Sequence, residues 1–162
     1  METLIKCGLL CAAALLSACA SFGSVQPGQS AAEVEKLVGA PTQRRGDADG
    51  GQTWEYNLLP EGRKIWMVTF GADGKVKLVT QSLTEENFRN ISAGQSSRDD
   101  VQRLLGKPAR QYTFSRMAEE VWEYQFYLDS WRMLLHVYFP VGEGAVKRYA
   151  TMLDQGHHRP RR

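Results

Sequence analysis

The spacing of hydrophobic positions predicts a short helix at two places in the chain. Each place has apolar residues at the i, i+3, i+4 spacing that lines one face of a helix. These residues are Val34, Leu37 and Val38 in the first place and Val101, Leu104 and Leu105 in the second. Each helix is expected to start at a serine with an acid three positions later, as in a capping box, and to end at a glycine closely followed by proline. The start and end residues are Ser30, Glu33, Gly39 and Pro41 in the first helix, and Ser97, Asp100, Gly106 and Pro108 in the second.

After each helix, stretches rich in aromatic and β-branched residues predict strands separated by glycine- and proline-containing turns. The expected strands are 53–58, 64–70 and 75–81 in the first half, and 110–114, 120–128, 133–139 and 145–152 in the second. Residues 44–52 are expected to form a loop, and residues 84–91 a short linking helix. The predicted fold class is therefore α+β, with a short helix (or helix pair) packed on an antiparallel β-meander, twice.

An internal repeat supports this organisation. Residues 30–41 align without gaps with residues 97–108, displaced by 67 positions. Further along, Trp54-Glu55-Tyr56 matches Trp122-Glu123-Tyr124 at a displacement of 68. Two separate blocks at nearly the same displacement indicate a duplicated unit. The predicted units span residues 28–83 and 84–153.

Strand alternation places large side chains together on shared faces. The expected sets are Trp54, Tyr56 and Leu58; Trp66, Val68 and Phe70; Trp122, Tyr124 and Phe126; and Leu134, His136 and Tyr138. Most of these residues are expected to form core. Tyrosine and tryptophan are also favoured at protein interfaces. The candidates for an open, partner-binding face are Trp66, Tyr127, Trp131 and Tyr138.

Composition narrows the class of protein. A chain of 162 residues with 43% hydrophobic and 23% charged residues should fold, and a net charge of +2 gives no reason to expect nucleic-acid binding. No nucleophile with a placed base is visible, and His136 is interpreted as a half-buried strand residue. The adjacent His157 and His158 do not make a metal site. We therefore expect a non-enzyme with no metal, no cofactor and no small-molecule substrate.

The amino terminus has the features of a secretory signal. Residues 5–16 are largely apolar but too few to span a bilayer, which needs about twenty residues. The closing Leu16-Ser17-Ala18-Cys19 resembles a bacterial lipobox, which implies cleavage between Ala18 and Cys19 and a covalent lipid on Cys19. An ordinary signal peptide is the alternative. Cys7 and Cys11 leave with the signal in either case.

The ends of the processed chain lie outside the two units. Residues 19–27 are small and polar and are expected to form a flexible, lipidated tether after a signal peptide of residues 1–18. Ala20 follows the cysteine, which favours the outer membrane over inner-membrane retention. Residues 154–162 are expected to be a basic, disordered tail that either touches anionic headgroups or only solubilises the chain.

The two repeated blocks, with the strands and Asp-Gly turn that follow, resemble the SmpA/OmlA (BamE) family of outer-membrane lipoproteins. The resemblance spans residues 28–76 and 94–139, and the lipobox agrees with it. It implies a non-catalytic scaffold in β-barrel assembly whose partners are other assembly subunits. The family pattern has one such unit, whereas this chain has two, and tandem units resemble the β-lactamase inhibitory protein fold. That second resemblance implies the alternative of an inhibitor or regulator with a concave protein-binding surface. Binding of peptidoglycan or lipopolysaccharide is a third, less supported reading.

Overall fold

The computed structural model describes residues 21–156, which form helices and strands in two successive α+β units and confirm the predicted fold class. The helices are α1 (Ala31–Val38), α2 (Glu85–Arg89) and α3 (Arg98–Leu105). The strands of the first sheet are β1 (Gln43–Gly46), β2 (Gln52–Asn57), β3 (Ile65–Phe70) and β4 (Val76–Gln81). The strands of the second sheet are β5 (Arg110–Phe114), β6 (Glu119–Leu128), β7 (Trp131–Pro140) and β8 (Arg148–Leu153). Each sheet is an antiparallel meander with its strands in chain order.

The two repeated helices begin and end in the same way. Ser30 and Ser97 each accept the backbone N–H three residues on, and Glu33 and Asp100 reach back to the serine N–H, so both capping boxes are formed. Each helix ends at a glycine with positive φ, 84° at Gly39 and 88° at Gly106, a conformation that only glycine adopts at little cost. These ends are held by the sheet that follows: Tyr56 Oη donates to Gly39 O at 3.1 Å, and Tyr124 Oη donates to Gly106 O at 3.0 Å.

The helices and sheets alternate as four layers: α1, the first sheet, α2 with α3, and the second sheet. We call the face of each sheet that packs on its own unit's helix the inner face, and the opposite face the outer face. The inner face of the first sheet forms one core cluster, made of Val34, Trp54, Tyr56, Val68 and Phe70 with Val25 and Val76. The second cluster joins the units, because the outer-face residues Ile65 and Met67 of the first sheet belong to it. It also contains Val101 and Leu105 of α3 and the inner face of the second sheet.

Several boundaries differ from the sequence-based expectation. Residues 44–52 were expected to be a loop, but residues 43–46 form β1, whose Arg45 pairs with Thr53. This edge strand is polar and mostly exposed, so it carries no apolar alternation. The expected strand 145–152 lies at Arg148–Leu153. Leu58 follows the end of β2 and is exposed, so it does not share the buried face of Trp54 and Tyr56.

Both ends of the described chain pack against the folded units, although their composition predicted a flexible tether and a disordered tail. Within the expected flexible tether, Val25 is buried and Phe22 stacks on Trp66 with ring centroids 5.1 Å apart. Two apolar side chains in this short segment therefore complete the first core. At the other end, Asp154 forms an ion pair with Arg63 in which both side chains are largely buried, so the tail does not begin as free chain.

Several sequence-based expectations lie outside the described residues: the signal peptide, the cleavage site between Ala18 and Cys19, the lipid on Cys19, and the pair His157 and His158. Among residues 21–156, no helix is long and apolar enough to cross a membrane. In the same range, no three His, Cys, Asp or Glu side chains gather where they could hold a metal ion. The limits of the two predicted units remain predictions.

Candidate binding groove on the second sheet

The outer face of the second sheet contains a groove with a volume of about 1030 Å³. Strands β5 to β8 supply its floor, and the segment after β8 supplies one wall. The groove exists because alternation sends one set of β6 and β7 side chains inward to the core and the other set to the outer face. The polar residues lining it are Tyr112, Glu119, Glu123, His136, Tyr138, Arg148, Asp154 and Gln155, and the apolar ones include Phe114, Met117, Val121, Leu134, Met152 and Leu153.

Glu123 lies at the floor of the groove with its side chain only 5% exposed. One carboxylate oxygen, Oε2, lies 3.2 Å from His136 Nε2 and accepts the Tyr112 hydroxyl at 3.3 Å. The hydrogen bond from His136 is the main reason that the pKa of Glu123 is below its ordinary value, against the opposing effect of burial. The carboxylate is therefore ionised at neutral pH.

The second carboxylate oxygen of Glu123 has no hydrogen-bond donor among the described residues. Its Oε1 lies 3.9 Å from Arg110 Nη1, which is too long for a hydrogen bond, and accepts none from residues 21–156. Arg110 is half-exposed and so partly solvated. Among the described residues the fully buried side-chain oxygen without a partner is Gln81 Oε1, so Glu123 Oε1 is open to the groove, where it can accept a hydrogen bond from another chain.

A second carboxylate, Glu119, lies at the rim of the groove and is fully paired. Arg148 donates to both of its oxygens, at 2.6 and 2.9 Å, and Lys147 donates to one of them at 2.6 Å. The hydrogen bonds from Arg148 and then from Lys147 lower the pKa of Glu119 to about 2. The Arg148 guanidinium also lies over the Tyr138 ring, 3.8 Å from its centroid, so the ion pair and the ring together form this rim.

Apolar side chains surround these charges and remain exposed. Phe114 and Met117 at the end of β5 and just after it are 48% and 67% exposed, and Leu153 at the end of β8 is 53% exposed. Isolated exposed apolar residues are ordinary, but several lining one groove are typical of a binding surface.

The four predicted partner-binding residues are not brought together. Tyr138 lines the groove. Trp66 is half-buried on the inner face of the first sheet, where Phe22 covers it, and so belongs to the core. Tyr127 and Trp131 lie near the hairpin between β6 and β7, 42% and 65% exposed, with the Arg63 guanidinium 5.7 Å from the Tyr127 ring centroid.

Sequence reasoning missed the charged residues at the centre of this groove. Glu119, Glu123 and Arg148 are separated along the chain and meet only through the pairing of β5 to β8. A signal existed for Glu123, since it stands between two buried aromatics in the repeated Trp-Glu-Tyr block. A glutamate kept at the same place in both units of one chain faces away from the aromatic side and indicates a shared structural role there.

The groove contains groups for both proton transfer and binding. The His136–Glu123 pair can hold or pass a proton, and none of the residues lining the groove is Ser, Thr or Cys. Its charged side chains can pair with charges and backbone groups of an incoming chain.

The equivalent face of the first sheet shows how such a surface is used. There α3 covers the outer face, and Glu55 Oε1 accepts the backbone N–H of Lys107 at 3.0 Å. Asn57 Nδ2 donates to Lys107 O at 2.8 Å, so both backbone groups of that residue are held. Gly106 packs so closely that a Cβ would lie 2.9 Å from Ile65 Cγ2. A helix end is thus clamped by a carboxylate and an amide of the preceding sheet.

Comparisons with known proteins do not extend this description. No protein-family profile and no curated protein sequence matches the chain. One similar solved structure is a DUF4309 family protein (YjgB) from Bacillus subtilis, with 16% identity over 77% of this chain and 78% of that chain and a TM-score of 0.29. Another is a "putative beta-lactamase inhibitor protein" from Streptococcus mutans, with 15% identity over 77% of this chain and 83% of that chain and a TM-score of 0.31. Both are too distant to assign a function, and neither points to the SmpA/OmlA family, so that membership stays a prediction.

Proposed function

We propose that this chain is a non-catalytic protein-binding lipoprotein, and that the groove on the outer face of its second sheet is the docking surface. The observation that carries this proposal is the contrast between equivalent faces. Helix α3 covers the outer face of the first sheet, while the outer face of the second keeps the same glutamate and has no helix over it among residues 21–156.

The position of the protein in the cell is proposed from the sequence. The lipobox-like Leu16 to Cys19 supports a diacylated Cys19 that anchors the chain to the outer membrane, facing the periplasm. Phe22 and Val25 pack on the first sheet within a few residues of that cysteine, so the anchored body would lie close to the bilayer.

The class of partner is proposed on the sequence resemblance to the SmpA/OmlA family. It supports subunits of the β-barrel assembly machinery as the bound proteins and a scaffold or accessory role in outer-membrane protein assembly. The exposed apolar residues together with the ion pairs at the groove rim suit a specific protein partner.

The first experiment is a mild-detergent pulldown of the full lipoprotein from membranes, followed by mass spectrometry. It compares wild type with Cys19→Ala, which removes the lipid, and with Phe114→Asp, which places a charge in the groove. Leu78→Asp is the matched control, because Leu78 is similarly exposed (55% against 48%) on an edge strand of the first sheet.

We expect wild type and Leu78→Asp to recover assembly subunits, and Phe114→Asp to lose most of them. Cys19→Ala should weaken recovery by removing the shared membrane. Recovery of an envelope enzyme in place of assembly subunits would overturn the scaffold role and favour the regulator alternative. Equal recovery with Phe114→Asp would show that the groove is not the docking surface.

A further inference from the structure

The interface between α3 and the first sheet provides a template for what covers an outer face in this fold. Its components are a helix that ends in Gly-x-Pro, a leucine on the side of that helix, and a glutamate on the outer face of a sheet. In the template, Leu104 packs on the joint core, Gly106 is buried, and Lys107 N–H donates to Glu55.

The helix half of this interface occurs again in α1, where it is unused. Leu37, the repeat equivalent of Leu104, is 38% exposed, and Gly39, the equivalent of Gly106, is exposed with open space around it. Ala40, the equivalent of Lys107, is exposed, and its N–H has no hydrogen-bond partner among residues 21–156. The end of α1 is therefore held by its own sheet through Tyr56, and no preceding sheet holds it among residues 21–156.

The sheet half occurs again in the second sheet, where it is also unused. Glu123 occupies the position of Glu55, and its Oε1 lacks a donor, whereas Glu55 Oε1 holds the Lys107 N–H. Gln125 stands where Asn57 supplies the amide of the clamp, is only 8% exposed, and forms no side-chain hydrogen bond with the described residues. Among residues 21–156, the Ala40 N–H near the start of the chain therefore has no acceptor, and Glu123 Oε1 in the second unit has no donor.

Charge complementarity agrees with joining these two ends. In the template, the uncharged Gln43 of β1 and Gln102 of α3 line one small cavity of about 190 Å³ together with the charged Arg45, Asp99 and Arg103. The repeat places Arg110 at the position of Gln43 and Glu35 at the position of Gln102. Both charged side chains are about half-exposed; Glu35 lies 3.0 Å from Arg44 in its own chain, and Arg110 lies 3.9 Å from Glu123. Docking would therefore exchange or extend the Glu35–Arg44 ion pair to include Arg110 of the other copy.

We propose that the outer face of the second sheet binds α1 of a second copy of this chain, as the outer face of the first sheet binds α3. The Ala40 N–H of one copy donates to Glu123 Oε1 of the other, Leu37 enters the groove, and Glu35 faces Arg110. Such an interface is heterologous, because the two contributing surfaces differ, so each added copy leaves one α1 and one groove free. This inference rests on the proposed function in one respect, namely that the groove binds protein. The copy at one end of such a row keeps a free groove, which can bind another partner.

The test is sedimentation velocity of the full chain purified in mild detergent over a range of concentrations. Leu37→Asp disables the helix end and Arg110→Glu disables the groove, and circular dichroism checks that both exposed-site variants remain folded. Leu78→Asp is the control for adding a charge at an exposed leucine. We expect concentration-dependent association in wild type and in the control, weakened about tenfold or more in either disabled variant.

Two mixing experiments identify the head-to-tail arrangement. Leu37→Asp mixed with Arg110→Glu should form a pair with one copy of each and nothing larger, because only one intact helix end and one intact groove remain. A chain carrying both Glu35→Arg and Arg110→Glu should regain association that each single change weakens.

A wild-type chain that stays monomeric at high concentration would overturn the inference. Association that both disabled variants retain, or a mixture that does not pair, would do the same. None of these results depends on assembly subunits or on the pulldown, so failure of self-association and failure of the proposed scaffold role can be told apart.

Discussion

The outer faces of the two sheets differ in what covers them, although they descend from one repeated block. On the first sheet, Glu55 is paired across the strands with Gln43 and Met67, and α3 packs over it. On the second sheet, Glu123 is paired with Arg110 and His136, and no helix of the described chain lies there.

The residues beside each glutamate differ according to whether a helix covers that face of the sheet. Glu55 beneath a helix can have the neutral Gln43 and Met67 beside it because the Lys107 N–H and Asn57 Nδ2 both donate to its Oε1. A glutamate on an uncovered face needs its own partners, which His136 and Tyr112 supply at one oxygen. The outer face of the second sheet thus holds its glutamate with side chains of its own sheet, and Glu123 Oε1 stays available as an acceptor for another chain.

The largest expected loss of stability comes from a substitution in the core between α3 and the two sheets. Leu105 is fully buried between the sheets, so Leu105→Ala should lower the free energy of unfolding by about 2–5 kcal/mol. Leu37→Ala, on the exposed side of α1, should change it by no more than about 0.5 kcal/mol. Urea titration followed by tryptophan fluorescence measures both. Similar losses at the two positions would contradict the assignment of α1 and α3 to differently covered layers.

A smaller difference in stability is expected between substitutions of the equivalent side-chain amides Asn57 and Gln125. Asn57→Ala removes the bonds that Asn57 Nδ2 donates to Lys107 O and Glu55 Oε1 and the bond that Asn57 Oδ1 accepts from Leu59 N–H. The free energy of unfolding should therefore fall by about 1–2 kcal/mol. Gln125→Ala removes an amide that has no hydrogen bond within residues 21–156, and we expect a smaller loss. The same urea titration compares them, and an equal or larger loss at Gln125 would show that its amide is already satisfied.

The smallest effect depends on pH and concerns the groove rim. Because Arg148 and Lys147 lower the pKa of Glu119 from 4.5 to about 2, the native state binds fewer protons there than the unfolded state. The resulting stabilisation is complete above pH 4.5 and is lost as the pH falls towards 2. In thermal unfolding across this range, wild type should therefore exceed Glu119→Gln most at the higher pH, with the gap closing at the lower. A constant gap would contradict the cause given for the pKa.

The sequence predicted the parts of the fold that local chemistry determines. Both capped helices are where serine, acid and glycine placed them, and the alternation of β6 identified Trp122, Tyr124 and Phe126 as one buried face. Strand β1 was missed because a polar edge strand is defined by backbone pairing with β2 and not by a pattern of its own side chains.

The candidate site could be predicted only in part, since it depends on how layers stack. Alternation put His136 and Tyr138 on one face but did not indicate which face would be open. The contact between Glu55 and Lys107 joins residues 52 positions apart, and no local pattern indicates that the helix of one unit covers the sheet of the other. Trp66 was expected to be a binding residue because nothing in its own strand shows that Phe22 covers it.

The joint core that contains Ile65 and Met67 also determines the order in which the chain can mature. The first sheet is complete at Gln81, but the helix that covers its outer face ends only at Leu105. Whichever part of the chain folds first, the outer face of the first sheet stays open to solvent until α3 has formed and packed on Ile65 and Met67. The first unit therefore lacks a complete surface on its own, and its maturation depends on a helix that belongs to the second repeat.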